Sequence, residues 1–99
     1  MIFTEEEAKR IARGIAYGHA YWEHATNVAE SGELMSESSF ESIILHTLLN
    51  PDKYRILNFG RSAFWNNEER FVVIHSPNDP DLGTAYWPIR GIHELKRIS

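Results

Sequence analysis

The hydrophobic period of this chain changes at Asn50-Pro51, and that change constrains the fold more than any other feature of the sequence. Before it, apolar residues recur at helical spacing. After it, they fall in short runs rich in β-formers. Thr4-Glu5-Glu6-Glu7 opens the first stretch as a capping box, with Thr4 as N-cap and Glu7 reaching back to it. Ala8, Ile11, Ala12, Ile15, Trp22 and Ala29 then share one face at about 100° per residue. The pattern predicts a helix from about 5 to 30, loosened at Gly14 and Gly18 and ended by Ser31-Gly32. Tyr17, Tyr21, His24 and Val28 form a second stripe, as on a helix packed on two sides. Ser38-Ser39-Phe40-Glu41 is another capping box, and Phe40, Ile43, Ile44, Thr47 and Leu48 form the buried stripe of a second helix. That helix stops at Asn50-Pro51, because a proline disfavours helix in the residue before it.

Strands are expected over Tyr54 to Phe59, Arg61 to Trp65, Phe71 to His75 and Gly83 to Trp87. Gly60 breaks the first from the second, and Asn66-Asn67-Glu68-Glu69 turns the second into the third. Phe71 to His75 is almost wholly apolar, as in a central strand covered on both sides. Ser76 to Asp81 carries strong turn chemistry. The tail from Arg90 is basic, with Lys96 and Arg97, and has no clear pattern. The expected fold is therefore α+β: two N-terminal helices packed on an antiparallel sheet of about four strands. One domain, 1–99, would hold a helical part of about 4–50, a sheet part of about 54–88 and a basic tail, 90–99.

Without cysteine the chain has neither a disulfide scaffold nor a thiolate zinc site. No apolar run approaches the roughly 20 residues of a membrane span. The N-terminal stretch is charged and helical, unlike a signal peptide, so an exported protein would carry its address elsewhere in a longer precursor. The net charge of −4 opposes nucleic-acid binding, but it is uneven. Residues 1–41 hold eight acids and three bases, whereas residues 42–99 hold six acids and seven bases. Aromatic residues make up 12% of the chain, enough for a dense core or for stacking surfaces.

No Walker loop, Rossmann glycine fingerprint or nucleophile elbow is present. His19 and His24 are five residues apart, about 140° around an unbroken helix, which does not make a helical metal pair. Asn78-Asp79-Pro80-Asp81 lacks the EF-hand pattern and reads as a solvated turn. RNA, however, is cut without a metal by its own 2′-hydroxyl. That reaction needs a proton acceptor, a proton donor and groups that hold the charge growing on the phosphorane. A histidine, an arginine and one or two hydroxyls suffice. The chain offers His24, Arg61, Thr84 and Tyr86, with His19 and His75 in reserve.

Gly18-His19-Ala20-Tyr21-Trp22-Glu23-His24-Ala25 resembles the GHAxxKH run of bacterial toxin ribonucleases in the superfamily that groups barnase, EndoU, colicin D and RelE. Asn50-Pro51 and Asn58-Phe59-Gly60-Arg61-Ser62-Ala63-Phe64 resemble the helix end and "GRxxy" strand of that family. Val72-Val73-Ile74, Pro77, Asp79, Gly83-Thr84-Ala85-Tyr86 and Pro88 resemble its "VVI…GTaf.P" ending. The resemblance spans about residues 18–88 in the expected order and is nearest to colicin D-type and contact-dependent inhibition toxin domains. It implies a metal-independent endoribonuclease directed at tRNA. The catalytic set would be His24, Arg61, Thr84, Tyr86 and His19, with Tyr21, Arg55 and Trp87 as substrate-binding side chains and neither metal nor cofactor. It also implies RNA and a cognate immunity protein as partners, not DNA or a membrane. The domain would be soluble, secreted or delivered within a larger effector, and would act in the cytoplasm of a target cell.

Each residue has a structural alternative. His24 fits a helix–sheet boundary, His19 a hydrogen-bonded core position, and Arg61 an ion pair with a helix carboxylate. Thr84 and Tyr86 fit as β-formers facing the core, and His75 as a strand-end residue. Glu23 stands where relatives often carry Lys. An acidic immunity or antitoxin-like binding module, or a catalytically inactive relative of the same fold, is therefore the alternative function. A metal-dependent hydrolase is a second rival.

Overall fold

A computed structural model describes residues 2–18, 20–21 and 35–98. Helix α1 spans Glu5–Ala16, and its capping box forms as expected: the Glu7 amide donates to Thr4 Oγ1 and the Thr4 amide to Glu7 Oε1, both at 3.1 Å. Ala8, Ile11, Ala12, Ile15 and Ala16 are its buried face. The helix expected to run to residue 30 is interrupted: Tyr17 caps α1, and Gly18 lies outside it before helical backbone resumes at Ala20 and Tyr21. The remainder of that expected helix, from residue 22, lies outside the described residues.

Helix α2 spans Glu37–Leu49 and buries Phe40, Ile44, Thr47 and Leu48. Its N-cap is Ser36, two residues before the expected Ser38, because Ser36 Oγ accepts the Ser39 amide at 3.1 Å. Glu41 is instead free to turn toward α1, where it meets Arg13 at 3.7 Å.

Four strands follow: β1 (Lys53–Ile56), β2 (Ser62–Asn66), β3 (Phe71–His75) and β4 (Gly83–Tyr86). They form an antiparallel meander in the order β1-β2-β3-β4. The first strand ends at Ile56, three residues short of expectation, because the chain must reverse at once to bring β2 alongside. Asn58–Gly60 makes a tight 3-10 turn in which Phe59 and Gly60 take φ of 64° and 74°. Only glycine adopts that region without strain, so Phe59 carries the cost of this turn.

Alternation along the strands separates two cores. Phe64, Phe71, Val73 and Ala85 face α1 and α2, together with Phe40, Ile11, Ile15 and Leu48. Ala63, Trp65, Val72 and Ile74 face the other way. The strand β3 is thus buried on both faces, as its apolar run predicts. The second face is covered by the C-terminal segment, a 3-10 turn over Gly91–His93 leading into the four-residue helix α3 (Glu94–Arg97). Leu95 is buried there against Leu57, Ala63, Trp65, Val72 and Ile74, with Tyr86 and Ile98 packed alongside. Among the described residues no helix is long and apolar enough to cross a membrane.

Candidate functional site

Glycine geometry brings Gly14 and Gly18 against the loop that leads into β4, at one end of the sheet. Gly83 opens β4 with φ of 138°, and a Cβ there would lie 2.0 Å from the carbonyl oxygen of Ile74. No other residue fits this close approach of β4 to the β3 backbone. The loop before it, 76–82, lies against α1. A Cβ on Gly14 would meet Leu82 Cδ1 at 3.0 Å, and one on Gly18 would meet Asp81 Cγ at 2.6 Å. Gly18 therefore lets the chain pass directly beside Asp81, and fully buried Ala20 follows on the same path. The stretch that carries the two expected histidines begins here, beside Asp81, which lies three residues before Thr84 in sequence. His19 and His24 themselves lie outside the described residues.

Thr84 pairs with Ile74, which pairs with Ala63, which pairs with Arg55. These four residues form one row across the sheet face turned away from α1 and α2. The Oγ1 atom of Thr84 is shielded from solvent and, among the described residues, has no hydrogen-bond partner. A buried hydroxyl without a partner is uncommon and calls for an explanation, such as a ligand. Arg61 precedes β2 at the same end of the sheet, with the side-chain parity of Ala63. Two strand spacings and two residues of stagger put its Cα roughly 12 Å from that of Thr84. The Nε of Arg61 donates to the Asn58 carbonyl at 3.1 Å, and its guanidinium carbon sits 6.0 Å from the centre of the Phe59 ring. The strained turn thus orients the arginine. Together, Arg61 and Thr84 supply a cation and a hydroxyl to the same sheet end.

The other expected residues are placed differently. Tyr86 shares the face of Thr84, but its hydroxyl donates to Glu94 Oε2 at 2.9 Å. Burial first, and then this bond, raise its pKa far above the ordinary phenol value, so it stays protonated. Tyr21 and Trp87 belong to the core on the helix side. Tyr21 donates to the Met35 carbonyl at 2.7 Å and packs on Phe40. Trp87 lies 4.6 Å from Phe71 and 5.8 Å from Phe40, centre to centre. Arg55 donates to the carbonyl of Leu95, tying β1 to α3. His75 ends β3 on the helix side, edge-on to Phe3 at 5.2 Å. Burial, with a smaller contribution from the positive charge of Arg10, lowers its pKa. Among the described residues no three of His, Asp and Glu are grouped as a metal site.

Sequence reasoning missed Glu94 and Leu95, which reach the sheet face from the tail. A four-residue helix carries no periodicity by which it could be found. No family model matches the chain, and neither a curated protein nor a solved structure matches it.

Proposed function

We propose that this chain is a metal-independent endoribonuclease domain of the bacterial toxin type, acting on tRNA. One observation carries the reading: Gly18, where the histidine-bearing stretch begins, lies against Asp81 in the loop leading to Thr84, at the sheet end from which Arg61 also departs. The reaction needs a proton-transfer group, a cation and a hydroxyl around one phosphate. The same motifs, in the same order, underlie the resemblance to toxin ribonucleases.

In this reading the 2′-oxygen of RNA attacks the adjacent phosphorus and the bond to the 5′-oxygen breaks. His24 takes the 2′-hydroxyl proton and, as the imidazolium so formed, returns a proton to the departing 5′-oxygen. Arg61 holds the non-bridging oxygens, and Thr84 donates a hydrogen bond from Oγ1, which has no partner among the described residues. Tyr86, bonded to Glu94, keeps the face in place beside them. The products are a 2′,3′-cyclic phosphate and a 5′-hydroxyl end. Delivery within a larger effector, action in a target-cell cytoplasm and a cognate immunity protein that covers the site complete the proposal.

The test is incubation of total cellular RNA with the purified protein in EDTA, beside His24→Ala. Discrete tRNA fragments from the parent alone support the reading. Intact RNA from both, across pH 5 to 8, overturns it. That outcome favours an acidic binding module, for which the exposed Glu5, Glu6 and Glu7 of α1 would offer a contact surface.

A further inference from the structure

We propose that a cleft at the β1 edge binds the phosphate backbone of an RNA strand, as a second site apart from the cleaving end of the sheet. The cleft has a volume of about 430 Å³ and is lined by Lys53, Tyr54, Arg55, Leu95 and Lys96. Every charged residue in that lining is a cation, in a chain whose net charge is −4. Among the described residues Lys53 and Lys96 have no ion-pair partner. The carboxylates next to the cleft in sequence are already engaged. Asp52 accepts the Asn67 amide at 2.8 Å, and Glu94 accepts from the Tyr86 hydroxyl at 2.9 Å and from Arg97 at 3.3 Å. Neither carboxylate pairs with a cation of the lining, and the charge of Glu94 is offset by Arg97.

The walls of the cleft are fixed. Arg55 spends one N–H on the Leu95 carbonyl, which joins β1 to α3 and leaves its other donors for a ligand. Tyr54 points to the opposite face of β1, where its ring rests 5.3 Å from that of Phe64 and remains 43% exposed. Cations and an aromatic face along an edge strand are the elements of single-stranded nucleic-acid grooves, in which backbone and base are gripped separately. Arg55 and Thr84 end the same cross-strand row, three strand spacings or roughly 14 Å apart.

This proposal shares only its substrate class with the ribonuclease reading, and the two can fail separately. The probe is a fluorescein-labelled 12-nucleotide RNA with 2′-O-methyl riboses, which cannot be cut by transesterification. Its anisotropy is followed at 50 and 200 mM salt with the parent, with Lys53→Glu/Lys96→Glu, and with Lys9→Glu/Arg13→Glu as an equal charge change on exposed α1. Circular dichroism checks that each variant folds. The cleft predicts at least a tenfold loss of affinity in the first variant and less than twofold in the second. It also predicts a salt slope lower by about 1.4 in the first variant, for two lost phosphate contacts. Equal losses in both variants, or no binding by the parent at 50 mM salt, would overturn it. Poly-glutamate binding as tightly as the oligonucleotide through the same two lysines would assign the cleft to an acidic protein instead. Lysine-dependent binding without any cleavage of ordinary RNA would keep the cleft and sink the ribonuclease reading.

Discussion

Replacing Thr84 by Val exchanges a hydroxyl for a methyl group at nearly constant volume, so it isolates what the hydroxyl does. In the folded chain Oγ1 is shielded from water and has no hydrogen-bond partner among the described residues. A buried polar group left unsatisfied costs roughly 1–3 kcal/mol relative to its hydrated state. Thr84 as a whole is only partly buried, which places it at the low end of that range. Thr84→Val should therefore stabilise the fold by about 1 kcal/mol. For a domain of this size that raises Tm by roughly 4–8 °C. If the chain is the ribonuclease proposed above, the same change removes a donor to the scissile phosphate and should lower RNA cleavage by about 10²-fold. Thermal unfolding followed by circular dichroism, beside initial cleavage rates in EDTA, measures both. A variant that melts several degrees lower would show that Oγ1 has a partner in solution. A variant that melts higher yet cuts at the parental rate would remove Thr84 from the chemistry.

Gly83→Ala should be far more damaging than Gly60→Ala, although both glycines have positive φ. A Cβ at position 83 meets the Ile74 carbonyl at 2.0 Å, while position 60 has nothing within 4 Å. Urea titration should show a loss of about 1 kcal/mol for Gly60→Ala and of more than about 3 kcal/mol for Gly83→Ala; equal losses would refute the close-approach argument. The pKa of His75 is depressed by burial, so the folded state binds its proton less readily than the unfolded chain. Stability contributed there is present above about pH 6.5, the ordinary value for His, and is lost as pH falls from that value toward the folded one. A His75→Gln variant should lack this part of the acid sensitivity when urea midpoints at pH 7.5 and 5.5 are compared. Phe40→Ala removes a fully buried ring in contact with Tyr21, Phe71 and Trp87, and should cost roughly 3–5 kcal/mol with loss of near-ultraviolet dichroism.

The layering of this fold was legible where period and punctuation agree. Phe71 to His75 reads as a doubly covered strand because all but its last residue are apolar, and that strand is buried on both faces. Thr4 and Glu7 read as a capping box because the two side chains answer each other's amides. The start of α2 was misplaced because Ser36 and Ser38 are chemically equivalent candidates, and only tertiary packing chooses between them. The early end of β1 was hidden because Phe59, a β-former, occupies a left-handed position that sequence assigns to glycine or asparagine. Of the expected site residues, Thr84 and Arg61 come to the same end of the sheet. The aromatic residues were not: composition cannot tell a stacking platform from a core, and Tyr21 and Trp87 pack around Phe40. Nor could the basic tail reveal that Leu95 would cover the second sheet face while Arg55 clasps its carbonyl.

The most direct test of the central claim is the chemistry of the cut ends. Purified tRNA is treated with the protein in EDTA, and the fragments are analysed by mass spectrometry, beside His24→Ala and an RNA carrying 2′-deoxyribose at the mapped cut. The account predicts 2′,3′-cyclic phosphate and 5′-hydroxyl ends from the parent, and no cutting by the variant or at the deoxy position. Fragments with 5′-phosphate ends, or cutting that persists at the deoxy position, would contradict it.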